Sequence, residues 1–119
     1  MITIDEIRAI AATLPAAAER ASYGGRPSWR TPRRVFAWVR DDPEALVVWV
    51  ESVDERDALI AADPGTFFTT SHYDGQAIVL VDLDAVGRDE AAELITESFR
   101  LRAERALVSE LDRAEQAER

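Results

Sequence analysis

The segment RVFAWVRDDPEALVVWV, residues 34–50, decides how the rest of the chain is read. Arg34-Val35-Phe36-Ala37-Trp38-Val39 and Ala45-Leu46-Val47-Val48-Trp49-Val50 are two runs of β-branched and aromatic residues, the types that fit a pleated, half-buried surface. Asp41-Asp42-Pro43-Glu44 between them is a polar turn. Two such runs so close in sequence read as an antiparallel hairpin. A third run, Ala77-Ile78-Val79-Leu80-Val81-Asp82, follows the turn signal Asp74-Gly75 and adds a strand.

Helical patterns flank these strands. Thr3 and Glu6 have the spacing of a capping box, and Ile4, Ile7, Ile10 or Ala11, and Leu14 repeat on one helical face until Pro15. Residues 18–31 read as extended chain bent at Gly24-Gly25 and Pro27, with Thr31-Pro32-Arg33 as a turn. Ser52 or Asp54 can cap a helix from Glu55 to Ala62, with Leu59 and Ile60 inward; Asp63-Pro64-Gly65 stops it. Residues 66–76 read as an irregular connector holding Phe67, Phe68, His72 and Tyr73. A long helix from Arg88 carries Ala91, Leu94, Ile95, Ser98 and Phe99 on one face. Beyond Leu101 the apolar positions rotate, so the helix either breaks near residues 102–105 or packs on a different partner. The acidic tail from Ser109 is expected to fray. The order describes one α+β domain over residues 1–119, with its core at about 3–111: a two-layer sandwich of antiparallel sheet and helices. Strands 34–39, 45–50 and 77–82 should share that sheet, with helices 4–13 and 88–101 packed on it.

The charge is unevenly placed. The chain has 119 residues and a formal net charge of −9, and all 14 of its basic residues are arginine. Residues 20–40 hold Arg20, Arg26, Arg30, Arg33, Arg34 and Arg40 without a single acidic residue. Without lysine there is no Schiff base and no phosphate-loop lysine, whereas every cation can make planar bidentate contacts. Without cysteine there is no disulfide and no thiolate chemistry. The start of the chain lacks a basic signal-peptide region and no apolar run reaches 18 residues, so the expected location is cytoplasmic, with no membrane association. A monomer is favoured over an oligomer.

The arginine-bearing hairpin is the candidate binding surface, through Arg26, Arg30, Arg33, Arg34, Trp38 and Arg40. Guanidinium groups contact phosphate and aromatic rings stack on bases. In strand phase Arg34, Phe36, Trp38 and Arg40 share one face, and Arg33, Val35, Ala37 and Val39 the other. Two assignments follow. Either aromatic rings framed by guanidinium groups line an open face, or Phe36 and Trp38 are ordinary core. Phe36 is assigned to the core; Trp38 stays between the two. His72, the sole histidine, lies in Thr69-Thr70-Ser71-His72-Tyr73-Asp74, whose hydroxyl, imidazole and carboxylate suggest a hydrolase. No Gly-x-Ser-x-Gly elbow accompanies them, and His72 and Tyr73 are read as structural. One histidine and scattered carboxylates give no metal site, no cofactor motif is present, and no catalytic set is recognised.

Several short motifs in order resemble the MmcQ/YjbR family across residues 3–111. They are the helix ending in Leu14-Pro15, Gly25-Arg26-Pro27-Ser28-Trp29-Arg30, the strand Val35–Val39 and Glu55-Arg56. Asp63-Pro64-Gly65-Thr66-Phe67-Phe68, Ser71-His72-Tyr73-Asp74-Gly75 and Ser98-Phe99-Arg100-Leu101-Arg102-Ala103 complete the set. At Glu104 relatives often carry a proline between two C-terminal helices. The resemblance implies a CyaY-like fold, a curved antiparallel sheet covered by helices. It also implies a non-enzymatic protein predicted to bind DNA, here through the arginine and aromatic hairpin. The alternative is a module binding a protein partner or a small anion on the same surface.

Overall fold

The structure, a computed structural model, describes residues 1–118; Arg119 lies outside the described residues. The capping box forms as expected. Thr3 Oγ1 accepts from the Glu6 N–H at 3.1 Å, and the Glu6 carboxylate accepts from the Thr3 N–H at 3.1 Å. Helix α1 then runs Ile4–Ala12 and buries Ile7 and Ala11.

Six strands make one sheet: β1 (Ala18–Ala21), β2 (Pro27–Arg30), β3 (Val35–Arg40), β4 (Ala45–Trp49), β5 (Phe67–Phe68) and β6 (Ile78–Val81). Their order is β1-β2-β3-β4-β6-β5, and every neighbouring pair is antiparallel. The three expected strands lie together in it. Stretches read as extended chain and connector supply the others: residues 18–31 contain β1 and β2, and residues 66–76 contain β5. A residue in β1 gains its strand character from pairing with β2, not from its own apolar pattern, since all four β1 residues are exposed.

Leu46, Val48, Val79 and Val81 turn to one face, under α1 and α3 (Arg88–Arg102). Phe36 meets Phe99 of α3 edge-to-face there, with ring centres 5.3 Å apart. Ala45, Val47, Ile78 and Leu80 turn to the opposite face and are also buried, beneath Phe68, Tyr73, Trp38 and Trp49. Burial on both faces explains why β4 and β6 read as unbroken apolar runs instead of alternating.

Ser52 Oγ accepts from the Glu55 N–H at 3.0 Å and starts α2 (Val53–Ala62). Its Arg56 is buried and donates to the carbonyls of Tyr73 at 3.3 Å and Gln76 at 3.0 Å, fastening the 70–76 connector. The C-terminal helix does break. Ala103 takes an extended conformation with ψ 157°, and α4 runs Arg105–Ala117. The tail expected to fray is thus helical to Ala117, held back on α3 by ion pairs from Arg100 to Asp112 and, at 2.7 Å, to Glu115.

Candidate nucleic-acid and anion interface

A β-bulge sorts the hairpin. Trp29 pairs with Ala37 but Arg30 pairs with Val35, leaving Phe36 as an extra residue on β3. An extra residue breaks strict alternation, so Phe36 and Ala37 both enter the helix-side core while Trp38 and Arg40 keep the opposite face. The simple phase that put Phe36 beside Trp38 is corrected by this one residue. Ser98 of α3 holds the bulge open. Its buried hydroxyl accepts from the Trp49 N–H at 2.9 Å and donates to the Phe36 carbonyl at 2.5 Å, standing where a direct ladder bond would otherwise close.

Across the opposite face the pairing aligns Arg20 with Ser28, Ser28 with Trp38, and Trp38 with Val47. Arg30 pairs with Val35 in the neighbouring row, and Arg40 lies two residues beyond Trp38. A depression of about 480 Å³ is lined by Arg20, Ser28, Arg30, Val35 and Trp38. It adjoins a larger cavity of about 800 Å³ that shares Trp38 and Ser22 and extends over Arg40 to the Thr70–Tyr73 turn. The β4–β6 half of this face is covered by the connector; the β1–β3 half is open.

The guanidinium groups here are not neutralised. Arg30 donates to the carbonyls of Thr31 and Pro32, Arg40 to those of Asp41 and Asp42, and Arg34 to that of Arg102. Among the described residues, no carboxylate pairs with Arg20, Arg30, Arg33, Arg34 or Arg40 within 4.0 Å. Carbonyl partners orient a guanidinium without cancelling its charge. Arg26 behaves differently. Partly buried, it pairs with Glu44 at 2.7 Å and Asp41 at 3.5 Å, so it braces the β3–β4 turn and leaves the cluster. Arg33 and Arg34 sit exposed on the β2–β3 turn, at the rim.

Arg102, which the sequence reading did not single out, joins that rim. Its Nε donates to the Val35 carbonyl at 3.3 Å and its guanidinium carbon lies 4.1 Å from the centre of the Trp49 ring. Burial first, then the nearby positive Arg34, lowers its pKa from the ordinary arginine value. Arg20 was noted only as a contributor to local charge. The strand pairing of β1 brings it to the face, a signal absent from its own surroundings in sequence.

Tyr73 is buried, as its structural reading requires, 6.4 Å from Trp38 between ring centres and with the Arg40 guanidinium at 6.0 Å. His72 is exposed and edges onto Tyr73 at 4.8 Å; no hydroxyl or carboxylate hydrogen-bonds its imidazole among the described groups.

The family model described as YjbR matches residues 12–101. The chain belongs to the YjbR family. Relatives of this YjbR-family chain include uncharacterized protein Rv2570 of Mycobacterium tuberculosis and uncharacterized protein Mb2600 of Mycobacterium bovis. Each is 38% identical over 125 residues, covering 91% of this chain and 94% of the relative. Among solved structures, the fold is similar to that of Deinococcus radiodurans protein DR2400, described as a DUF419 domain. The TM-score is 0.72 at 24% identity, covering 85% of this chain and 78% of that one. No helix among the described residues is long and apolar enough to cross a membrane.

Proposed function

We propose that this YjbR-family protein binds single-stranded DNA on the open face of β1–β3, with Trp38 as the stacking residue and Arg20, Arg30 and Arg40 as phosphate contacts. The observation carrying the reading is a half-buried tryptophan at the centre of an unpaired cluster of arginines on a body of net charge −9. Arg20 and Trp38 lie two strands apart, about 10 Å across the sheet, a spacing that lets a strand run between ring and guanidinium. Stacking needs unpaired bases, and a ring set in a depression meets them only when the strand is single. The acidic remainder repels a duplex rod and confines approach to the arginine face.

The test is fluorescence anisotropy of a labelled oligonucleotide at two salt concentrations. Single-stranded DNA should bind more tightly than the duplex, with affinity falling as salt rises. Changing Arg20, Arg30 and Arg40 together to glutamine should reduce the slope of log K against log salt by about 2, since each phosphate contact on a single strand contributes about 0.7. Arg113→Gln, exposed on α4, should leave both affinity and slope unchanged. Absence of binding at low salt, or a slope untouched by the triple change, would overturn the reading.

A further inference from the structure

The larger cavity has features that phosphate contact and a single stacking ring do not use. It lies between the Ser22–Gly24 turn and the Thr70–Tyr73 turn, with Trp38 and Arg40 of β3 along it. Its volume, about 800 Å³, is within the range of pockets that enclose a small molecule. Tyr23 stands at its lip with 98% of its surface exposed, the one Phe, Tyr or Trp ring left so bare among the described residues. The turn that carries it depends on Gly24 and Gly25, whose φ values of 71° and 76° suit glycine. Opposite, Thr70 Oγ1 is buried without a hydrogen-bond partner. An unpaired buried hydroxyl is uncommon and is satisfied when a bound group supplies the missing bond. The exposed His72 ring leaves its nitrogens free as well.

We infer that this cavity is a nucleotide site: it takes one nucleobase between Tyr23 and the Trp38–Tyr73 wall, with Thr70 Oγ1 bonding the base edge and Arg40 the phosphate. Charge selects the class. Aromatic rings alone would equally hold an ammonium ion, but Arg40 repels a cation, and the cavity's acidic residue, Asp41, is held by Arg26 at 3.5 Å. Arg40 spends donors on two backbone carbonyls, and a guanidinium has five N–H groups, so donors remain for phosphate. The base reaches the cavity either in a free nucleotide or as an unstacked unit of a strand on the adjoining depression. The second source rests on the single-strand reading; the first does not.

Titration of the whole protein with adenosine, guanosine, cytidine and thymidine monophosphates, and with inorganic phosphate as a probe lacking the ring, separates these cases. Tryptophan fluorescence, compared with that of a Trp38→Phe variant that leaves Trp29 and Trp49, isolates the response of Trp38, and a labelled oligonucleotide measured in parallel reports on the strand. At least one nucleotide should bind at concentrations where inorganic phosphate does not. Tyr23→Ser, which removes a ring that packs against nothing, should weaken nucleotide binding about tenfold while the melting temperature stays put. Thr70→Val should weaken it and alter the preference among bases. Nucleotide binding with these variant effects but no oligonucleotide binding leaves the site standing and removes the strand reading. Oligonucleotide binding that no nucleotide competes and that Tyr23→Ser leaves untouched keeps the strand reading and overturns the site. Failure of all four nucleotides to bind at about 5 mM overturns it directly.

Discussion

Ser98→Ala tests whether the bulge is held open from the helix layer. The hydroxyl bridges the Trp49 N–H and the Phe36 carbonyl, at 2.9 and 2.5 Å, and Ser98 and Phe36 are fully buried. Alanine removes the bridge and leaves both backbone groups unpaired at a site closed to solvent. Each unsatisfied buried group costs about 1–3 kcal/mol, so the loss from the two should be about 2–6 kcal/mol. For a domain of this size that lowers the midpoint by roughly 4 °C per kcal/mol, or about 8–24 °C. Thermal and urea denaturation followed by circular dichroism would measure it, and hydrogen exchange should show the Trp49 amide losing protection beyond the global change. A loss below about 1 kcal/mol would refute the reasoning. It would mean that β3 and β4 can close the ladder directly and return Phe36 to regular alternation.

Three further outcomes are expected. Arg56→Leu should cost about 2–3 kcal/mol, because the carbonyls of Tyr73 and Gln76 lose their buried charged donor, and hydrogen exchange should rise first at residues 70–76. Glu19, bonded by Arg8 at 2.6 Å, has its pKa lowered chiefly by that hydrogen bond, with the slight loss of water around the carboxylate opposing it. A depressed carboxyl stabilises the fold above the unfolded value near 4.3, and that contribution disappears as pH falls through the folded value. Glu19→Gln should therefore melt a few degrees lower than the natural protein at pH 7, and the gap should close in acid; a constant gap across pH would refute the assignment. Arg100→Gln should loosen α4, which its pairs with Asp112 and Glu115 tie to α3, and increase exchange across residues 105–117 with little change in the sheet.

The two faces of the sheet explain what could be read in advance. Runs of β-branched and aromatic residues located β3, β4 and β6, and near-3.6 patterns located α1 and α3, because each of these buries enough apolar surface to write its geometry into its own residues. β1 and β5 write nothing of the kind. β1 is exposed throughout and β5 has two residues, and both become strands by pairing with neighbours already in place. The rotation of apolar positions beyond Leu101 left a break or a change of packing partner open, and the structure shows the break at Ala103; the anchoring of α4 required partners twelve and fifteen residues apart to meet.

By itself the sequence determined that six arginines fall in residues 20–40 without a compensating acid, that this stretch forms a hairpin, and that the surrounding order belongs to a YjbR-like α+β domain. Charge and periodicity are local properties and survive translation into one dimension. Which arginines act together did not follow from proximity along the chain. Arg26 is drawn off by Glu44, while Arg20 and Arg102 arrive from β1 and from the end of α3. One inserted residue and one helix hydroxyl then part Phe36 from Trp38, sending the first into the core and leaving the second between two depressions. Only tertiary structure could decide that, because side-chain direction in a bulged strand is set by the partner strand and the helix above it, and neither is written in the strand's own residues.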